Sequence, residues 1–311
     1  MKVLIIGLGS IAQKHIQALT NISSGEISLY ALRSSALPNQ VPNITNISSI
    51  GEAGVSFDFV IVSNPTFSHY DTLRKLLDYN IPLFIEKPLF HTLDRGQQLV
   101  DQIISSKVKT YIACNLRFHP CIVFIKDLLR QKSQRINEVN IYAGSYLPDW
   151  RPGIDYRQVY SANEKMGGGV HLDLIHELDY VTWLWGTPNS SAATLRSTSS
   201  LNIDAVDYAN YLLQYEQFTV NIVLNYYRRD TKRTCEILFE DNTVSIDLIK
   251  QKVWCNEELI FSSDIDPLYT YKEQMKYFIS AIKEDNGYIM NDIQSAFNVL
   301  KICLNDEQVK R

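Results

Sequence analysis

The sequence has little that would tie it to a membrane, a metal or a polyanion. Its 311 residues hold no apolar run near the roughly 18 that a spanning helix needs. Cysteine is scarce: Cys114, Cys121, Cys235, Cys255 and Cys303 are odd in number, scattered, and without a Cys-x-x-Cys pair. Such usage excludes a disulfide framework and a zinc site, and is that of reduced thiols in a cytoplasmic protein. A net charge of only −4 excludes a global attraction to nucleic acid or an anionic bilayer. Internal repeats and low-complexity tracts are absent as well. The short apolar N-terminus runs straight into a glycine turn, which makes it a strand and not a signal peptide. With 45% hydrophobic and 21% charged residues, the composition is that of a soluble globular chain long enough for two domains.

What is present is organised around residues 1–35. The run Val3-Leu4-Ile5-Ile6 stops at Gly7-Leu8-Gly9-Ser10-Ile11-Ala12, and a helical pattern follows with Ile11, His15, Ala18 and Leu19 on one face. A second apolar run covers residues 27–32. Strand, glycine turn, helix, strand is a mononucleotide-binding unit. Gly7 permits the tight turn, Gly9 lets a pyrophosphate approach the backbone, and Ala12 lets the helix pack closely on the strand. The N–H groups of the helix start, at Ser10 and Ile11, then face the phosphates. A tight strand–helix turn with no ligand is the alternative reading. The second strand ends Ala31-Leu32-Arg33-Ser34-Ser35, without the carboxylate that usually accepts from the ribose 2′-hydroxyl of NAD. A guanidinium and two hydroxyls suit a 2′-phosphate, so NADP(H) is favoured over NAD(H). The nearby acid, Glu26, sits at the wrong end of the strand; an exposed arginine in a turn is the bland reading of Arg33.

Further along, residues 57–63, 82–85 and 110–114 read as buried strands, with helices over 68–78 and 92–105. Strands apolar on both faces and alternating with helices specify an α/β domain with a doubly wound parallel sheet of the Rossmann type. That regime ends near Pro120, where residues 1–120 close as a dinucleotide-binding domain. From Glu138 the period becomes two, with strands expected over 138–145, 192–198, 207–215, 218–227, 234–239, 244–248 and 253–255. Helices are expected over 170–185, 269–283 and 292–306. Residues 121–311 therefore read as an α+β substrate-binding and oligomerisation domain with a large, open-faced, mainly antiparallel sheet. Strand 218–227 carries apolar residues on both faces, which predicts a homodimer or homotetramer joined through this sheet.

Glu86-Lys87-Pro88 lies at the carboxyl end of a parallel strand, where ligands bind in such sheets, and Pro88 would hold Lys87 extended. Gly167-Gly168-Gly169 precedes Asp173 and His176, three apart on the expected helix and thus on one face, with Asp179 a turn further on. A carboxylate beside an imidazole suits a proton acceptor working near neutral pH. Taken singly, Lys87 reads equally as a surface lysine and His176 as a satisfied core histidine. His171 is two residues from Asp173, so the two diverge.

The ordered set is more specific: the glycine fingerprint, Ser63-Asn64-Pro65-Thr66-x-x-His69, Glu86-Lys87-Pro88, Arg117-Phe118-His119-Pro120 and the glycine-led Asp/His helix ending Trp183-Leu184-Trp185-Gly186. Over essentially the whole chain it resembles the glucose–fructose oxidoreductase / inositol dehydrogenase (Gfo/Idh/MocA) family. The resemblance implies a dehydrogenase acting on a hydroxyl of a sugar or cyclitol. It places Lys87 on the substrate hydroxyl, His176 as the proton acceptor and Asp173 as its supporting acid. It also implies that Ser63, Asn64, Pro65, His69, Glu86 and Lys87 line the dinucleotide, with Arg117 and His119 toward the substrate. Many members space the acid and histidine four apart, whereas here the gap is three, which leaves open where Asp173 points. The stretch 144–157, with Trp150, Arg151 and Tyr156, is dense in aromatic and basic residues that suit a sugar ring and an anionic group. It looks like the corresponding stretch of members linked to surface-sugar biosynthesis; a loop packing its aromatics on the sheet edge is the alternative.

Three functions fit: an NADP(H)-dependent sugar oxidoreductase, a non-catalytic dinucleotide sensor engaging a protein partner through its open sheet, and an enzyme that recycles a tightly held dinucleotide. Neither a metal nor a nucleic-acid partner is expected. Retention of both Lys87 and His176 argues against the sensor.

Overall fold

The computed structural model describes residues 1–23, 25–33, 43–131, 134–284 and 288–306. Ser34, expected at the cofactor, lies outside them, as does Ser35. The chain divides into two compact units, residues 1–115 with 266–297, and residues 116–265 with 298–311. The sequence pointed to an uninterrupted split at 120/121; the difference is the C-terminal segment, most of which packs with the first unit. There Tyr111 donates to Gln274, and Phe278 packs edge-on against Phe59 and Phe84.

The first unit begins with β1 (Lys2–Ile6), α1 (Ser10–Ile22), β2 (Ser28–Leu32), β3 (Ile44–Ile47) and β4 (Phe59–Val62). It continues through α2 (His69–Leu76), β5 (Leu83–Ile85), α3 (Gly96–Ser105) and β6 (Thr110–Ile112). The strands form a parallel sheet in the order β3-β2-β1-β4-β5-β6. All of β4, β5 and β6 is buried, because helices cover both faces of such a sheet. Order reverses beside β1, so the crevice at the carboxyl ends of β1 and β4 is where a doubly wound sheet takes its ligand.

The second unit contains α4 (Pro120–Gln131), β7 (Ile136–Tyr146), α5 (Val170–Asp173), α6 (His176–Trp185), β8 (Ser190–Arg196) and β9 (Tyr208–Gln214). It goes on to β10 (Thr219–Asn225), β11 (Tyr227–Phe239), β12 (Thr243–Asp247), β13 (Lys252–Cys255) and β14 (Glu258–Ser262). The eight strands run β14-β13-β12-β11-β7-β10-β9-β8, antiparallel throughout except for the parallel pair β7 and β10. The chain closes with α7 (Tyr269–Lys283) and α8 (Ile293–Cys303), the division between units falling inside α8. Alternation sorts β10 cleanly: Val220, Ile222 and Leu224 are fully buried, while Thr219, Asn221 and Val223 on the other face are half-buried. The buried face meets the end of α8, where Tyr211 donates to the Cys303 carbonyl over 2.8 Å. The other face also shows Leu212, 41% exposed.

The helix expected over 170–185 is instead two. Leu174, at φ −103° and ψ 29°, ends α5, and α6 starts afresh at His176. The apolar period survives the break because Leu172, Ile175, Leu178 and Val181 are buried on both sides of it. Asp173 and His176 are therefore not residues of one helical face.

Candidate active site

In the first unit the tight turn expected at Gly7 is present. Gly7 has φ +92°, and a Cβ on it would lie 2.4 Å from the Asn64 nitrogen, so only glycine lets β1 and β4 end side by side. Ser63 fastens that junction by donating to the Gly7 carbonyl over 2.9 Å. Gly9 is different: a Cβ there would meet no protein atom within 4 Å. Gly9 caps α1 without a side-chain bond, no acid sits in the first turn, and Ala12 is fully buried beneath it. With Gly9 and Ser10 exposed, the N-terminus of α1 is accessible, the arrangement an anionic pyrophosphate fits. A cleft of about 940 Å³ adjoins the turn, lined by Gly7, Leu8, Arg33, Asn64 and residues of the β3 and α2 ends.

Two residues expected at the dinucleotide prove to be fasteners of the loop that carries Lys87. Glu86 is buried and pairs with His15 of α1, itself fully buried, while also accepting from the Lys87 N–H at 3.1 Å. His69 is 1% exposed, with Nε2 3.0 Å from the Asn64 carbonyl and Nδ1 3.1 Å from those of Pro88 and Leu89. Burial pushes its pKa down, partly offset by these carbonyls. It ties the Asn64-Pro65 turn to the segment after Lys87. The Lys87–Pro88 peptide is cis.

In the second unit the acid finds partners that no local pattern announced. Asp173, 6% exposed, accepts from Tyr160 at 2.8 Å through Oδ1 and from Tyr226 at 2.5 Å through Oδ2. Burial raises the pKa of both phenols, the neighbouring carboxylate adding to it, which keeps them donors. The glycine run lets the chain fold back tightly here. A Cβ on Gly168 would sit 2.1 Å from the Tyr160 carbonyl, so glycine serves the close approach of the chain itself. Trp150, 38% exposed, packs edge-on against Tyr226 at 5.3 Å and donates to Ser145. The exposed Arg151 lies over the Tyr160 ring at 5.6 Å. Tyr156 is half-buried and donates to the Leu201 carbonyl over 2.9 Å. His176 opens α6, half-buried.

Arg117 and His119, expected toward the substrate, are bonded within the protein. Arg117 is buried and forms a bidentate pair with Asp179 of α6 at 2.8 and 2.7 Å. His119 is buried, its Nε2 donating to the Leu248 carbonyl at 3.1 Å and its Nδ1 accepting from the Cys121 N–H. Burial pushes its pKa down to about 4, so the ring is neutral and both nitrogens are committed. Arg117 thus ties the segment before α4 to α6, and His119 ties the start of α4 to the residue after β12. Glu177 is likewise committed, gripped by Arg233 of β11 at 2.6 and 3.0 Å. Tyr160 and Tyr226 were missed because a lone tyrosine in a turn or at a strand end carries no periodic signal. Among the described residues no group of His, Cys, Asp and Glu could hold a metal ion, and no helix is long and apolar enough to cross a membrane.

This geometry agrees with what the chain is similar to. Residues 1–113 match the oxidoreductase family with an NAD-binding Rossmann fold, and residues 125–245 match the GFO/IDH/MocA C-terminal domain. The chain belongs to the GFO/IDH/MocA family of oxidoreductases. Among its relatives are the rhizopine catabolism protein MocA and the inositol 2-dehydrogenase of Rhizobium meliloti. Each is 25% identical, over 62% and 66% of this chain respectively, and the matched stretch spans 61% of either relative's length. The fold is shared with UDP-N-acetylglucosamine 3-dehydrogenase GnnA from Acidithiobacillus ferrooxidans (18% identity, TM-score 0.78, covering 99% of this chain and 97% of that one). It is also shared with the WlbA dehydrogenase from Bordetella pertussis, solved with NADH and UDP-GlcNAcA (15% identity, TM-score 0.82, covering 100% and 95%).

Proposed function

We propose that the chain is an NADP(H)-dependent oxidoreductase acting on a hydroxyl or carbonyl of a sugar or sugar derivative, a class that includes phosphorylated and nucleotide-linked sugars and surface-sugar precursors. The observation that carries the reading is the uncapped α1 start at Gly9, open in front and packed tightly behind at Gly7 and Ala12. A nicotinamide dinucleotide, when bound, supplies the hydride acceptor or donor. His176 takes the proton from the substrate hydroxyl, and the Lys87 ammonium stabilises the negative charge that develops on that oxygen. Asp173 supports this chemistry as an oriented carboxylate. Trp150 offers a ring face to the sugar, and Arg151 a charged fork to an anionic group. The relatives' substrates, inositol and UDP-linked sugars, are of the same class. Incubation with NADP⁺ and a panel of neutral polyols, sugar phosphates and UDP-sugars tests the reading by absorbance at the reduced nicotinamide band. Turnover of an anionic sugar is expected; tight dinucleotide binding with no turnover on the panel would favour the sensor instead.

The cofactor preference rests on Arg33, half-buried at the end of β2 and lining the cleft. NADPH should bind more tightly than NADH in a fluorescence titration. Arg33→Asp should reverse the order, at roughly 1.5–3 kcal/mol per charged hydrogen bond lost. Equal affinities in the wild type would remove the 2′-phosphate argument. For assembly we expect a dimer or tetramer joined through the sheet face bearing Leu212, Asn221 and Val223. A sharp monomer mass in sedimentation at micromolar concentration would rule that out.

A further inference from the structure

The dinucleotide cleft carries a second cation that the end of β2 does not supply. Lys75, exposed in the last turn of α2, lines the same cleft as Arg33. Among the described residues neither side chain is held in an ion pair. The hydroxyls nearby are less available than they look. Ser48 donates both its N–H and its Oγ to Glu52, leaving it no further proton to give. Ser49 accepts from the Glu52 N–H at 3.3 Å and retains its own O–H. Asp78, three residues past Lys75, lines the cleft with opposite charge.

A phosphate monoester carries about 1.5 to 2 negative charges at neutral pH. One guanidinium answers only part of that, and Asp78 opposes it. We infer that Lys75 is a specificity-determining residue, supplying with Arg33 the second positive charge that a 2′-phosphate requires. The lysine suits the task as a point charge on a flexible stem, reaching an oxygen that the planar fork of Arg33 leaves uncovered. Asp78 acts as a counterweight that weakens the phosphate's hold. The inference rests on the NADP(H) reading above and adds a residue from a different element of the fold.

The test uses the full chain and its Lys75→Gln and Asp78→Asn variants, titrated with NADPH, NADH, 2′,5′-ADP and 5′-AMP at low and high salt. Lys75→Gln should weaken NADPH and 2′,5′-ADP about ten-fold, a loss typical of one charged contact. NADH and 5′-AMP should stay within roughly two-fold, since neither carries the extra phosphate. Asp78→Asn should tighten NADPH and leave NADH unmoved. The NADPH advantage should shrink with salt in the wild type and less so in Lys75→Gln. Equal losses for NADPH and NADH would assign Lys75 to general packing at the adenine end and overturn the inference, as would no change in either. If the wild type prefers NADPH but the Lys75→Gln ratio is unchanged, this inference alone fails. If the wild type prefers NADH, the cofactor reading fails and takes this one with it.

Discussion

Replacing His176 by Asn is expected to lower turnover by at least about 10²-fold, the lower end of what a positioned general base contributes. NADPH affinity should not change, because His176 opens α6 of the second unit and the proposed dinucleotide turn belongs to the first. Lys87→Met should cost as much or more, since an uncompensated oxyanion is the harder defect to tolerate. Paired steady-state and titration measurements on the two variants check both statements. If His176→Asn kept near-normal turnover, the base would have to be another group. His119 could not take that role, because both its nitrogens are bonded within the protein. His171, buried on α5 with its pKa pushed down to about 4 by desolvation, would be tested next.

The largest expected effect on stability comes from Arg117 and Asp179. The two groups are buried, 6% and 1% exposed at the side chain, and joined by two short bonds. Removing one partner strands a charge in a low-dielectric interior. Arg117→Met or Asp179→Asn should therefore destabilise the protein by roughly 3–5 kcal/mol. The double replacement Arg117→Met/Asp179→Leu should recover much of that loss, because neither charge of the pair is then buried without the other. Urea midpoints of the three variants read this directly. A loss below roughly 1 kcal/mol for either single variant, the range of exposed pairs, would mean that the pair is solvated in solution.

The two predictions mark how far local sequence reaches. Arg117 was expected at the substrate because the motif it lies in resembles that of the family. Its partner is 62 residues away, and nothing in the spacing of either residue points to the other. Arg151 reads no differently as a letter, yet it is exposed. A charge's partner is a long-range property; a helix's apolar face is not. For the same reason α7 was expected over the residues it occupies, while the split between α5 and α6 was invisible. Both sides of that split keep their buried residues in phase.

By itself the sequence determined the parallel sheet with its glycine turn, the change to a strand period of two after Glu138, and the family. Each is written in short-range terms: turn chemistry at Gly7, alternation, and motifs spaced along one chain. Only the tertiary structure decided what the polar residues do. Packing turned His69 and Glu86 into fasteners of the Lys87 loop, and set Asp173 between two phenols. It also gave the glycine run to the Tyr160 carbonyl. Hydrogen-bond partners of buried groups are chosen by which distant segments close around them, because each such group must be satisfied wherever the fold brings a donor or acceptor within reach.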